Sequence, residues 1–109
     1  PLKTPALYVD FPQEEILAIL KDATGKTHHL VIRVVLLTRD PHVKEALMEN
    51  SALIISEFLE LLESQDYAYL LTYDGKVAIR KTLLKHLKKS IPIYGSNVEE
   101  VLLTKFIMD

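Results

Sequence analysis

One stretch of the chain constrains the fold more than any other, the twelve residues HLVIRVVLLTRD from His29 to Asp40. Aliphatic and β-branched residues dominate it, as is typical of a β-strand. Successive side chains of a strand point to opposite faces of its sheet, and here both faces are largely apolar, interrupted only by Arg33 and Arg39. We therefore expect helices to cover one face of this strand, and other parts of the chain to cover the second face at least in part.

Two further strands are predicted around this one. The run EILAILK, from Glu15 to Lys21, precedes it, and the residues DATGK at positions 22–26 contain Gly25 and predict a turn. These pieces form a hairpin. The third strand is the end of the chain, from Val98 to Met108, because its apolar residues alternate over two faces. Such an apolar terminus is expected to pair with a hairpin strand and to close the core.

The residues after the hairpin have a helical pattern. Asp40 and Pro41 predict a helix start, because an aspartate can cap a helix and a proline fits its first position. Apolar residues then recur at spacings of about three, four and seven, which predicts one long helix to about Ser64. The residues of this stripe are Val43, Leu47, Ile54, Phe58 and Leu61.

Two more helices are predicted before the last strand. A short one covers Asp66 to Leu71, after which Asp74 and Gly75 are interpreted as a break. The third helix runs from Lys76 and stops before Pro92, since a proline cannot continue it.

The elements therefore follow in the order β-β-α-α-α-β. A chain of 109 residues, 49% of them apolar, is large enough for one core and too small for two. The sequence predicts one α+β domain over residues 1–109, in which a small three-stranded sheet packs against the helices.

The composition argues against several classes of function. There is no cysteine, which removes thiol catalysis and thiolate metal sites, and the net charge of -2 argues against a general polyanion binder. No serine lies in a Gly-x-Ser-x-Gly context, and the three glycines are isolated, so no phosphate-binding loop is present. We expect no catalytic activity, cofactor or metal.

The charges are segregated along the chain. Residues 40–66 carry seven acids and one base, whereas residues 76–89 carry six bases and no acid. Residues three or four apart share a helix face. The acids on one face of the long helix are Glu57, Glu60 and Glu63, and the bases on one face of the third helix are Lys81, Lys85 and Lys88. These faces could meet head to tail between neighbouring molecules, which generates rings or filaments. Alternatively, they are solvated or pair within one molecule, since exposed ion pairs contribute only ~0 to 1 kcal/mol.

The four histidines are candidate metal ligands, but their positions in the sequence argue against a metal site. His28 and His29 are neighbours on a strand and point to opposite faces, while His42 and His86 have no carboxylate at ligand spacing. We expect all four to be solvent-exposed.

Three tyrosines precede or begin the basic helix. Tyr67, Tyr69 and Tyr73 could provide stacking platforms for a single-stranded nucleic acid. Packing of the short helix against the sheet is the simpler interpretation, because tyrosines commonly pack in this way.

Several segments, taken in order, resemble a known family. They are LYVDFP from Leu7, VIRVVLLTRDPHV from Val31, EFLELLES from Glu57, LLTYDGK from Leu70 and VLLTKF from Val101. From about residue 7 to residue 108 the chain resembles the periplasmic domain of the FliL family of flagellar basal-body proteins. The family often has a proline within the first long helix, where this chain has Asn50-Ser51-Ala52, and a phenylalanine where this chain has Leu103.

This resemblance implies a non-enzymatic component of the flagellar motor. It implies a stomatin-like domain on the periplasmic side of the bacterial inner membrane at the basal body, with a membrane helix expected before Pro1. The implied partners are the stator units and further copies of the chain in a ring, without nucleic acid, and the implied role is torque generation or stator retention. The alternative is a membrane-proximal binding module that uses the basic helix 76–89 for anionic lipid or nucleic acid.

Overall fold

The computed structural model describes residues 4–11 and 15–109 and confirms the α+β class. Its strands are β1 (Leu7–Asp10), β2 (Ile16–Lys21), β3 (Thr27–Thr38) and β4 (Val98–Met108). Its helices are α1 (Pro41–Glu49), α2 (Ser51–Glu63), α3 (Tyr67–Leu70), α4 (Tyr73–Ser90) and α5 (Pro92–Gly95).

Strand β3 is the centre of an antiparallel sheet. β1 pairs with residues 35–38 of β3 and β2 with residues 27–32, while β4 pairs along residues 30–38. A strand has only two edges, so β1 and β2 share one edge of β3 and β4 occupies the other. The predicted hairpin and the pairing of the last strand are confirmed. The sheet has four strands rather than the predicted three, because the four residues of β1 are too few to show an alternation.

The two faces of the sheet differ as the pattern of β3 predicts. Leu30, Ile32, Val34 and Leu36 are completely buried beneath the helices and form the centre of the core. Helices α2 and α4 complete that core with large apolar side chains, among them Ile54, Phe58, Leu62, Ile79, Leu83 and Leu87.

No helix among the described residues covers the opposite face along its whole length. Val35 and Leu37 are buried there, but Leu17 and Ile107 keep more than half of their surface exposed. The second face is thus only partly covered, as expected from β3.

The long helix predicted to about Ser64 is in fact two helices. Asn50 separates α1 from α2 with φ −99° and ψ 17°, outside the helical region. Its side-chain Nδ2 donates to the carbonyl oxygen of Ala46 at 2.7 Å, which satisfies the end of α1. The interruption therefore occurs without a proline, because asparagine supplies its own hydrogen bond.

Helix α4 begins three residues earlier than predicted. Thr72 is its N-cap, and the Thr72 hydroxyl accepts a hydrogen bond from the N–H of Gly75 at 2.9 Å. Asp74 and Gly75 consequently lie in the first turn, where an acid is favourable, and do not form the predicted break. The end before Pro92 is confirmed, although the following residues form the single turn α5.

Candidate functional site

The predicted acidic and basic faces lie on α2 and α4. Glu60, Lys81, Lys85 and Lys88 are exposed. Within the described ranges, 4–11 and 15–109, no ion pair joins any of these three lysines to an acid. The basic face of α4 is therefore available at the surface.

Glu57 is used within the molecule instead. The Ser90 hydroxyl donates its one hydrogen to this carboxylate, lying 2.7 Å from Oε2 and 2.9 Å from Oε1, and Oε2 also lies 2.8 Å from Nε2 of His86. Hydrogen bonds from Ser90, and then from His86, lower the pKa of Glu57 against the opposing effect of desolvation. This contact joins α2 to α4, so His86 is a half-buried structural partner and not the exposed histidine that was expected.

Glu63 has a different internal partner. Its Oε2 accepts a hydrogen bond from the backbone N–H of Ile19 at 2.8 Å. Ile19 belongs to β2, whose outer edge has no strand partner in the described part of the chain. Glu63 therefore satisfies an edge donor that would otherwise be open to another strand. Of the three predicted acids, Glu60 has no hydrogen bond to the residues that the structure describes.

A cluster around His28 lies at the turn end of the hairpin. The expectation that His28 is exposed is wrong, since only 7% of its surface is accessible. Its Nε2 lies 2.7 Å from Asp22 Oδ2, and its Nδ1 lies 3.1 Å from the backbone oxygen of Asp109. The Tyr67 ring stacks on the imidazole with a centroid distance of 3.8 Å. One histidine thus connects the hairpin turn, the end of β4 and α3.

Both carboxyl groups of this cluster, those of Asp22 and Asp109, have a lowered pKa. Asp22 accepts hydrogen bonds from His28, from the hydroxyl and N–H of Thr24, and from the N–H of Lys26. The His28 contact, followed by the Thr24 hydroxyl, holds the pKa of Asp22 far below its usual range. The N–H of His29 donates to Asp109 at 2.7 Å and is the main cause of the lowered pKa of that carboxyl.

The contacts of the cluster are those of a structural clamp. Throughout residues 4–11 and 15–109 there is no group of three or more histidines, aspartates and glutamates suited to a metal ion.

The three tyrosines have separate environments. Tyr67 packs on His28, as the simpler interpretation predicted, and its hydroxyl donates to the backbone oxygen of Asp109 at 3.2 Å. Tyr69 and Tyr73 are exposed, Tyr73 with 79% of its surface accessible. The packing interpretation therefore holds for Tyr67 alone.

A groove between α4 and β4 was not anticipated from the sequence. It consists of two adjoining depressions with volumes of about 230 and 380 Å³, and Val77 and Arg80 line both. The remaining lining residues are Tyr73, Lys76, Lys81, Leu84, Glu99, Glu100, Val101, Leu103 and Phe106. The sequence did contain a signal for the α4 wall of this groove, because residues 73, 77, 80 and 84 recur at spacings of three and four and so share a helix face.

These features define a small α+β domain whose surface offers segregated charge and a groove. A family model described as flagellar basal body-associated protein FliL matches residues 8–108. Because the match covers nearly the whole chain, this protein belongs to the FliL family, and the resemblance drawn from the sequence is confirmed. It is a family of structural flagellar proteins and not a known enzyme family.

A search among curated proteins gave no significant match. None of the helices within residues 4–11 and 15–109 has both the length and the hydropathy needed to span a membrane.

Proposed function

We propose that this domain self-assembles beside the stator units of the flagellar motor and supports torque generation or stator retention. It would act without catalysis, on the periplasmic side of the inner membrane. Membership of the FliL family supports the association with the basal body. The assembly itself is inferred from the surface of α2 and α4.

One observation carries the assembly proposal, namely the exposed basic face of α4. Lys81, Lys85 and Lys88 have no acidic partner in the described part of their own chain. Glu60 is exposed on α2 and has no hydrogen bond there either. Opposite charges on two different helices, the lysines of α4 and Glu60 of α2, favour a head-to-tail contact, and such contacts close into rings when the rotation permits.

The contact is expected to be weak in solution. Exposed ion pairs contribute only ~0.2 to 1 kcal/mol each, so a few of them provide at most a low-affinity association. A membrane helix before Pro1, which the family resemblance implies, would confine the domains to one surface and raise their effective concentration. Assembly would then occur at the basal body and not in dilute solution.

Sedimentation against protein concentration, at low and high salt, tests this proposal. The variant Lys81→Glu, Lys85→Glu, Lys88→Glu is expected to weaken self-association by about tenfold or more, since opposite charges become like charges. The matched control, Lys21→Glu, Lys26→Glu, Lys44→Glu, changes the net charge equally but leaves α4 intact. It is expected to associate like the unsubstituted chain.

Exchanging the charges of Glu60 and Lys85 tests whether these two residues attract each other between molecules. Glu60→Lys is expected to weaken association, and Glu60→Lys combined with Lys85→Glu is expected to restore part of it. In cells, the α4 variant of the full-length protein is expected to reduce swimming, and the control variant is not. Unchanged association and swimming in the α4 variant would contradict the proposal.

The exposed lysines of α4 also suit anionic lipid or nucleic acid. That second function predicts that the α4 variant loses binding to phosphatidylglycerol vesicles or to a single-stranded oligonucleotide, with a steep dependence on salt. Sedimentation of the protein alone would then show a monomer at every concentration.

A further inference from the structure

The groove between α4 and β4 runs along the edge of the sheet. Glu100 and Val101 are consecutive in β4, and both line the groove. Consecutive side chains of a strand point to opposite faces, so a groove that contacts both lies beside the strand and not over one face. Within residues 4–11 and 15–109, β4 pairs only with β3, which leaves its other edge unpaired by any strand.

Part of this edge has a regular register. Register shifts interrupt the pairing with β3 between Val98 and Glu100 and between Leu103 and Lys105, whereas residues 100–103 pair in order with residues 37–34. Such irregularities limit strand addition at their own positions. The segment Glu100 to Leu103 is therefore the part of the edge that can accept a further strand.

The walls of the groove indicate the chemistry of that strand. Its apolar surface comes from both elements: Val77, Leu84, Val101, Leu103 and Phe106. Its cations come from α4: Lys76, Arg80 and Lys81. Of its two acids, Glu99 is already bound by Arg39, whose Nε donates at 2.7 Å. The three cations outnumber the other acid, Glu100, so the groove is apolar with a net positive rim, which complements a segment that is apolar and acidic.

We propose that this groove binds an extended peptide segment of a partner protein, in which every second residue faces α4 and these α4-facing residues include both apolar and acidic ones. The segment adds as a strand to residues 100–103 of β4, where backbone hydrogen bonds provide affinity. Its apolar side chains contact Val77 and Leu84, and its carboxylates lie within reach of Arg80 and Lys81. Only Lys81 belongs both to this site and to the basic face of the assembly proposal.

Two other occupants fit less well. The acidic face of a second copy lies on the helix α2, and a helix cannot add to a strand edge. An anionic lipid would use the cations but would leave the backbone edge of β4 without a partner.

The test is an NMR titration of the isotopically labelled chain with an end-blocked peptide of the repeat Val-Thr-Glu-Thr, in which valine and glutamate share one face of the strand. The largest shift changes are expected at the amides of residues 100–103 and on the face of α4 around Arg80. Arg80→Glu is expected to weaken the peptide affinity by about tenfold, because a salt-bridging cation becomes a like charge. The matched control Lys88→Glu makes the same charge change outside the groove and is expected to leave the affinity unchanged.

The same two variants separate this inference from the assembly proposal. Lys88→Glu belongs to the assembly face, so it weakens self-association and not peptide binding, whereas Arg80→Glu does the reverse. A peptide methylated on alternate backbone nitrogens is expected to lose binding, since it cannot donate to the edge. Equal binding of the methylated peptide, or the absence of shift changes at the amides of residues 100–103, would overturn strand addition.

Two further results would assign the site to another occupant and so overturn the inference. Shift changes at residues 100–103 that depend on protein concentration without peptide would indicate a second copy. Displacement of the peptide by phosphatidylglycerol vesicles, with no effect of backbone methylation, would indicate a lipid.

Discussion

His28 holds three parts of the chain together through a single imidazole ring. Both ring nitrogens lie within hydrogen-bond distance of oxygen acceptors, one on Asp22 and one on the backbone of Asp109. The flat face of Tyr67 covers the ring and shields these contacts from water. The cluster therefore combines hydrogen bonds and stacking at one point.

The first prediction concerns the acid stability that Asp22 provides. Its pKa is lowered in the folded protein, so its ionised form contributes stability that is fully present above the unfolded pKa of about 4. This contribution is lost as the pH falls from about 4 toward the lower folded value. Asp22→Asn is expected to lower the melting temperature at pH 7 and to flatten its fall in acid. Circular dichroism melts across this pH range measure both effects.

Glu45→Gln is the matched control for this experiment. Glu45 is exposed on α1 and has no hydrogen bond to the residues that the structure describes. The melting temperature of Glu45→Gln should change with pH as that of the unsubstituted chain does throughout the acid range. If the melting temperature of Asp22→Asn also changed with pH in parallel with that of the unsubstituted chain, the pKa of Asp22 would be the same in the folded and unfolded states.

The sequence could not predict this cluster, although it predicted the turn around Gly25. The partners of His28 lie 6 residues before it and 81 residues after it. Alternation along β3 correctly places His28 and His29 on opposite faces, but alternation does not show which parts of the chain close over each face. Burial of His28 depends on α3 and the end of β4 meeting at the hairpin turn.

At the scale of elements, the contact of α3 with α4 depends on the absence of a side chain. A Cβ on Gly75 would clash with the backbone carbonyl of Tyr69 in α3. The backbones can approach this closely only because glycine has no side chain. Thr72 connects the two helices, since its hydroxyl donates to Tyr69 O and accepts from Gly75 N.

The second prediction is that Gly75→Ala destabilises the domain. Alanine is the better helix former by about 1 kcal/mol, so helix propensity alone predicts the opposite sign. The clash is with backbone, which cannot rotate away, and overpacking of this kind costs typically about 1 to 3 kcal/mol. Urea unfolding should show a net loss of free energy, and hydrogen exchange should become faster at Leu70 and Thr72.

Gly25→Ala is the control for this experiment, because it too replaces glycine with alanine and is expected to lower the stability of the fold. Gly25 has φ +86° in the hairpin turn, and a Cβ added there would meet open space, so the cost of Gly25→Ala is purely conformational. It should leave exchange at Leu70 unchanged. A stability of Gly75→Ala equal to or above that of the unsubstituted chain would contradict the close approach of α3 and α4.

The boundaries of elements were predicted less well than their existence. Strands β2, β3 and β4 and the main helical regions follow from periodicity, because burial imposes it on the sequence. The helix interruption at Asn50 and the start of α4 at Tyr73 follow from single hydrogen bonds. Such bonds leave no periodic signal, and glycine in a first helical turn resembles glycine in a loop.

At the scale of the molecule, the two charge groups are less separate than their positions in the sequence indicate. The segregation of charge along the sequence was correctly identified, but two of the three acids on α2 have partners within the molecule. Glu57 is hydrogen-bonded to residues of α4, and Glu63 is hydrogen-bonded to the backbone of β2. No sequence pattern reports which helices become neighbours. The exposed charge is therefore mainly that of α4, which is why the proposed contacts of this protein centre on that helix.

The last prediction concerns the closing strand. β4 pairs along most of β3, and its Val98 and Val101 are buried in the core. Each buried valine contributes about 1.5 to 3 kcal/mol, and β4 also provides the hydrogen-bond partners for one edge of β3. These losses together rival the whole stability of a domain, about 5 to 15 kcal/mol. A chain that ends at Asn97 is expected to lose cooperative thermal unfolding and amide shift dispersion.

Comparing Ile107→Asp with Val101→Asp tests whether β4 contributes stability through its buried residues or through any of its apolar residues. Ile107 is apolar like Val101, but it points to the uncovered face of the sheet and 57% of its surface is accessible. Strict alternation predicts that Val101 and Ile107, six residues apart, share a face, but the register shift between Leu103 and Lys105 moves Ile107 to the opposite face. Ile107→Asp is therefore expected to keep a cooperative transition with little change in stability, whereas Val101→Asp is expected to abolish it. Equal effects of the two substitutions would mean that both faces of β4 are buried.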